Sequence, residues 1–327
     1  MQEILITKNE EGYKLKKLCK NYLSEAPDSF IYKMLRKKNI KLNGKKADGS
    51  EILEKGDIVN FYLSDETIQS FQKSGVTNNR EKVSSVRAED IIYEDEDIII
   101  VNKPSGILSQ KSKADDISIN EMILQYLLDN GKINNESLMT FKPSVCNRLD
   151  RNTSGLILAG KTPAGSKYLS QIIKNRSIRK YYQAVVKGQA KLKGIYKAHL
   201  TKDENNNQVD ISDKGFIIET GFEVLEYNKE LDITYLRVEL ITGKSHQIRA
   251  HLAHLGYPII GDTKYGNKNT NEYFRKNYKI KSQMLTAYEV IFPHFDASED
   301  NCEEAIAKVA RRLSGKNVNI NKYLERI

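Results

Sequence analysis

Residues 147–155, Asn-Arg-Leu-Asp-Arg-Asn-Thr-Ser-Gly, set one acid, Asp150, between two arginines, Arg148 and Arg151. At neutral pH an aspartate is ionised, with a reference pKa of about 3.9, and flanking positive charge favours that form. Such a carboxylate can act as a nucleophile or a base, and the arginines can hold a polyanion. Two further runs carry chemical potential. Residues 180–188, Lys-Tyr-Tyr-Gln-Ala-Val-Val-Lys-Gly, place Tyr181 and Tyr182 in a β-branched and aromatic run. Residues 242–252, Thr-Gly-Lys-Ser-His-Gln-Ile-Arg-Ala-His-Leu, contain Arg249. Its planar fork can grip a carboxylate through two bonds and fix its direction.

Rival chemistries in the last run fail on spacing. Gly243-Lys244-Ser245 ends like a phosphate-binding loop, but position 238 is Val where that loop needs Gly. His246, His251 and His254 do not have the His-Glu-x-x-His spacing, and no Cys lies near, so no metal site is expected. His246 is expected to orient a loop, and His251 and His254 to lie on a helix beside the cleft. A glycoside hydrolase would need a second catalytic carboxylate. Only Asp262, in the turn 261–266, is available at these motifs.

The elements that must position these residues are legible in part. Residues 91–101 suggest a hairpin with an acidic turn at 94–97, leading to the loop Asn102-Lys103-Pro104-Ser105-Gly106. That loop reads either as a structural turn or as a wall of the cleft. Ser118 is expected to cap a helix ending at Gly131, and 156–159 to form a strand. Thr162-Pro163 opens a helix with Tyr168, Leu169, Ile172 and Ile173 inward. A strand over 233–240 and a final helix over 299–313 complete this part.

The first 65 residues differ in character. Leu15, Leu18, Cys19, Tyr22 and Leu23 have helical spacing, and Asp28 or Ser29 is expected to cap a second helix. Asn43-Gly44 signals a hairpin, and 58–63 a strand. From Lys14 to Lys46 bases greatly outnumber acids, which are only Glu25 and Asp28. Lys16, Lys33, Arg36, Lys37, Lys41 and Lys45 are therefore candidates, with Arg148 and Arg151, to neutralise phosphates. A basic helix lying on a membrane is disfavoured, since no large aromatic-rich apolar face accompanies the charge.

The whole chain of 327 residues carries 52 Lys and Arg against 43 Asp and Glu, a net charge of +9. That balance suits a polyanionic partner, nucleic acid first. Three scattered cysteines form no disulfide framework and fit a reducing compartment. Residues 1–11 have no apolar core flanked by basic residues, so no signal peptide is expected, and no run approaches membrane length. A cytoplasmic protein is expected.

The motif Arg148-Leu149-Asp150 followed by Thr153-Ser154-Gly155 resembles the catalytic segment of RNA pseudouridine synthases of the RluA type. The run 180–188 is similar to that family's Lys-x-Tyr-x-Ala strand, with the family tyrosine on Tyr182. The run 243–249 is similar to its Gly-Arg/Lys-x-His-Gln-Ile/Leu-Arg motif, ending on Arg249. Residues 261–266 resemble its Gly-Asp-x-x-Tyr-Gly turn, which reads as structural. Two departures stand out: Asn147 and Thr286 replace histidines common in the family. The N-terminal order of helix, helix, Ile-x-Leu-Asn-Gly-Lys and Gly-Asp resembles the small RNA-binding domain of ribosomal small-subunit protein four.

The resemblance implies an α+β fold, with a mixed and mainly antiparallel sheet and a central cleft. It implies an RNA-binding domain over 1–65 and a catalytic domain over 89–327; the polar stretch between them, without sustained period, reads as a flexible linker over 66–88. It implies isomerisation of uridine to pseudouridine, in large-subunit ribosomal RNA above transfer RNA, without metal or other cofactor and by a monomer. Asp150 would be the catalytic carboxylate, Arg249 its partner, and Tyr182 the ring against the target base. The competing reading is a ribosome-associated RNA-binding protein without catalysis, which predicts a lost carboxylate or arginine.

Overall fold

A computed structural model describes residues 1–7, 9–72, 84–113, 115–203, 208–297, 303–323 and 327. The N-terminal residues build a four-stranded sheet with edge order Gln2–Leu5, Ile58–Phe61, Ile40–Leu42, Lys45–Lys46. The helices Leu15–Tyr22 and Asp28–Arg36 pack their apolar faces on it. Asn43 and Gly44 both have positive φ, 50° and 71°, as a two-residue hairpin turn requires. The second helix is preceded by Pro27 and has no side-chain cap. Asp28, expected as a cap, is its first residue and pairs instead with Lys16 at 2.8 Å.

The span expected as a linker, 66–88, begins in a helix and ends at a core residue. Ser64 accepts from the Thr67 amide and caps a helix, Asp65–Phe71. Ile68 of that helix is buried in the N-terminal core, and Phe71 lies 4.5 Å from the ring of Phe30. At the far end Val86 is buried in the core of the larger sheet. The middle of the expected linker, 73–83, lies outside the described residues.

The larger body is a mixed sheet. Its strands run in the order Gln208–Ser212, Lys193–Asp203, Phe216–Asn228, Ile233–Leu240, Arg179–Lys187, Leu285–Ile291, Ser154–Gly160, Ile98–Lys103, Ile91–Glu94. Pairing is antiparallel except between Leu285–Ile291 and Ser154–Gly160. Alternation along the strands separates two apolar faces. Ile98, Ile100, Leu156 and Leu158 meet the helices Pro163–Lys174 and Glu304–Leu313. Ile99, Val101, Ile157, Tyr182 and Ala184 face the other way, toward the helices Ile119–Asp129 and Gln247–His254.

Thr162 caps its helix as expected, accepting from the Gly165 amide at 3.1 Å. Ser118 stands at the expected N-cap position but bonds the Glu121 carboxylate rather than a backbone amide. The final helix begins at Glu304, and the earlier part of its expected span, 299–302, is outside the described residues. The three strands between 193 and 228 and the short helix Asn135–Thr140 were not anticipated.

The two bodies touch. Asn21 donates to the Thr140 carbonyl at 2.8 Å, and the Thr140 hydroxyl bonds the buried carboxylate of Glu10.

Gly155 makes the parallel pairing feasible. Its φ is +112°, and a Cβ there would lie 2.1 Å from the Ala287 carbonyl oxygen. The nearest atoms all belong to the Ala287 backbone, which is fixed in the neighbouring strand and cannot yield as a flexible side chain would. Gly155→Ala is therefore expected to destabilise the protein by roughly 3 kcal/mol or more. A shift of the urea midpoint amounting to under 1 kcal/mol would contradict this packing.

Candidate active site

Asp150 lies in the loop between the strands Ser144–Val145 and Ser154–Gly160, and several bonds hold that loop. Asn147 donates to the Leu156 carbonyl at 3.1 Å and accepts from the Leu158 amide at 2.8 Å. A primary amide offers donor and acceptor side by side, so it completes the edge of the strand. This departure from the family pattern is a backbone brace. The Ser109 hydroxyl donates to the Leu149 carbonyl and accepts from its amide, at 2.8 and 2.9 Å. Gln283 donates to the Thr153 hydroxyl at 2.6 Å.

Lys103 is the least expected brace. It is fully buried, and its ammonium donates to the carbonyls of Ile107, Pro104 and Arg151 at 2.8, 3.0 and 3.1 Å. Burial pulls its pKa down to about 7, against the opposing effect of the Asp150 charge. Of the two readings of the loop 102–106, the structural one holds for Lys103: it ties that loop to the backbone next to Asp150. Lys103→Met is expected to cost about 3 kcal/mol, because buried carbonyls lose their donor. Displacing the loop is expected to slow single-turnover catalysis about 100-fold. Since the folded-state pKa is the lower one, the unfolded chain binds the extra proton between pH 7 and about 10.4. Wild-type stability should therefore rise relative to Lys103→Met across that window. Parallel pH curves for the two proteins would refute the titration.

Arg249 sits on the helix Gln247–His254, with three guanidinium nitrogens committed. Nε and Nη2 donate to the two oxygens of Asp262, at 2.7 and 2.8 Å, and Nη1 donates to Asp150 Oδ2 at 2.7 Å. The expected partnership of Arg249 with Asp150 is present, but the two-pronged grip falls on Asp262. Asp150 receives a single bond. Its Oδ1 has no hydrogen bond among the described residues, and Asp150 lines the cleft. Asp262 is fully buried and also accepts from the amides of Lys264 and Tyr265. With both oxygens engaged it cannot be the second acid of a glycosidase. Burial opposes the charges of Arg249 and Asp262, yet their mutual attraction wins, raising the one pKa and lowering the other.

Arg148 and Arg151, the sequence neighbours, do not supply the bond to Asp150. Arg148 is exposed at the cleft wall, and Arg151 points to Asp116 at 3.7 Å. The charge that holds Asp150 comes from 99 residues away.

Tyr182 and Asp150 line the same cleft, with Thr153, Leu240, Lys244, His246 and Leu285 around them. Burial, and secondarily the Asp150 charge, raise the Tyr182 pKa, so the phenol keeps its proton. His246 has left-handed backbone, φ 54°, at the start of the Arg249 helix. Its Nδ1 is 3.0 Å from the Tyr265 hydroxyl and its Nε2 is 3.9 Å from Asp150. Burial lowers its pKa and keeps it neutral at pH 7. His251 turns away, bonding Thr220 at 3.0 Å. Thr286, the second family departure, projects from the opposite face of the sheet to Leu285 and Ala287 and bonds Ser154 at 2.8 Å. It is no part of the cleft around Asp150.

The N-terminal candidates are not equivalent. Lys33, Arg36, Lys37 and Lys45 are exposed. Lys16 is half-buried and occupied by Asp28 and the Tyr32 hydroxyl, and Lys41 lies over the Tyr62 ring at 4.9 Å. Sequence reasoning missed the roles of Lys103, Ser109 and Gln283, and read the Asp262 turn as structural with Asp262 left open as a second carboxylate, without seeing that it grips Arg249. The one available signal was that turn's place in the order of motifs.

The site thus joins an arginine-held carboxylate to a buried tyrosine in one cleft. The family model described as RNA pseudouridylate synthase matches residues 97–254. An uncharacterized RNA pseudouridine synthase of Mycoplasma genitalium is 32% identical over 309 residues, covering 91% of each chain. The ribosomal large subunit pseudouridine synthase C of Vibrio cholerae is 29% identical over 310 residues, covering 93% of this chain and 92% of its own. Human RNA pseudouridylate synthase domain containing 4 shares the fold, with a TM-score of 0.50 at 18% identity, over 62% of this chain and 84% of its own. The chain belongs to the RNA pseudouridine synthases of the RluA type, enzymes that isomerise uridine in RNA to pseudouridine.

Proposed function

We propose that Asp150 is the catalytic carboxylate and that large-subunit ribosomal RNA is the substrate. The observation that carries the first part is the single bond from Arg249, which leaves Oδ1 of Asp150 open beside Tyr182. The name of the Vibrio relative supports the second. The reaction breaks C1′–N1, turns the base over, joins C1′ to C5, and moves the C5 proton to N1. Nothing is gained or lost. Asp150 acts at the sugar, by adding to C1′ or by taking a sugar proton. Arg249 keeps it aimed, and Tyr182 stacks on the turning base and assists at C5. A base inside folded RNA is first flipped out, at a cost of a few kcal/mol that phosphate contacts offset. Arg148 and Arg151 at the cleft supply some of those contacts. Lys16, Lys33, Arg36, Lys37, Lys41 and Lys45 of an N-terminal RNA-binding domain supply the others.

In this reading the protein is a cytoplasmic monomer of two domains. No described helix is long and apolar enough to cross a membrane. The test is incubation with unmodified large-subunit ribosomal RNA, followed by carbodiimide labelling and primer extension. Discrete new pseudouridines are expected. Modification confined to transfer RNA would overturn the substrate. Binding without modification of either RNA would favour a non-catalytic RNA-binding protein.

A further inference from the structure

The reverse face of the sheet holds a second cleft of about 760 Å³, within the range of ligand sites. Strand alternation turns Gln183 away from Tyr182, and Thr286 away from Leu285, into this space. Asn102, Ser154, Thr286 and Gln183 line it from four adjacent strands. Ser154 and Thr286 satisfy each other. Gln183 is only 7% exposed, and its amide has no hydrogen-bond partner among the described residues. The amide opens to the cleft, where its donor and acceptor are free to bond a ligand. Lys279 and Lys281 stand exposed at the rim without an ion pair among the described residues, next to the Tyr278 ring.

We propose that this cleft binds a phosphorylated nucleoside. Its base is read by the donor and acceptor of Gln183, with Asn102 beside it, and packs against Tyr278. Its phosphate lies between Lys279 and Lys281. Amides suit base edges, aromatic rings suit base faces, and lysines suit phosphate. The source is an unpaired nucleotide of the bound RNA or a free nucleotide. Ser105, Lys103 and Gln283 form part of the cleft wall and also hold the Asp150 loop from behind. An occupant would therefore rest on the supports of the catalytic loop. The RNA source rests on the function proposed above; the free-nucleotide source does not.

The test compares wild type with Gln183→Leu and with the surface double variant Lys279→Glu/Lys281→Glu. Ligand-observed NMR with each of the four nucleoside monophosphates reads the free source. Binding by wild type that is lost in both variants supports it. Filter binding of ribosomal RNA against salt reads the other source. Losing one single-strand phosphate contact is expected to reduce the slope of log K against log salt by about 0.7. Unchanged salt slopes together with no nucleotide binding overturn the proposal. Wild type that binds nucleotide but makes no pseudouridine sinks the functional reading and leaves this site standing.

Discussion

Asparagine in place of Asp150 is expected to abolish pseudouridine formation while the protein still folds and binds RNA. The substitution preserves shape and leaves the Nη1 hydrogen of Arg249 an oxygen to bond. It removes the negative charge, and with it the capacity to attack C1′ or accept a sugar proton. Asp150 is partly exposed, its side chain 27% accessible, so the change leaves no buried vacancy. Arg249 remains neutralised by Asp262. By analogy with removal of a nucleophile elsewhere, the rate should fall by at least about 10⁴-fold. Tritium release from RNA labelled at uridine C5 measures it directly, since C5 loses its hydrogen on every turnover. Activity within tenfold of wild type would falsify the assignment.

The next largest effect is expected at Asp262, which never meets substrate. Asp262→Ala leaves the almost fully buried guanidinium of Arg249 with only one carboxylate, and breaking such a pair costs about 3–5 kcal/mol. The released fork can then swing onto Asp150 with two bonds and cover the oxygen left open in the wild type. A slower reaction, by about 100-fold, should accompany the loss of stability. Asp262→Asn keeps one acceptor but removes the charge and the second acceptor, so it bears on the charge through its pH dependence. The folded-state pKa of Asp262 is depressed, so its stabilisation is complete above the ordinary carboxylate value of about 4 and is lost as pH falls through the lower folded value. The stability gap between wild type and Asp262→Asn should thus close below pH 4. A gap that stays constant down to pH 2 would show that the charge of Asp262 is irrelevant.

Much of this site was legible because its parts are local signals. The strand holding Tyr182, the helix holding Arg249 and the turn before Asp262 each announce themselves within about ten residues. What could not be read is which parts meet. The pairing of Arg249 with Asp150 was expected from the family resemblance alone, and nothing in the spacing showed that the two-pronged grip of Arg249 falls on Asp262. Lys103 was hidden for a related reason: a lysine gives no sign in sequence that three carbonyls from two segments converge on its ammonium. The limits of the linker were misjudged because Ile68 and Phe71 are isolated apolar residues, and only a partner such as Phe30 makes them a helix face. The strands between 193 and 228 include exposed apolar residues such as Ile195, Phe216 and Ile217, so their alternation carries little signal.

The clasp of Asn21 and Glu10 on Thr140 has a consequence for target choice. Thr140 precedes Asp150 by only ten residues, so the lysine-rich module is anchored close to the catalytic segment in the chain. Two contact points held at a fixed separation act as a caliper. In the function proposed above, this clasp would set the distance between RNA held by the basic module and the uridine at Asp150.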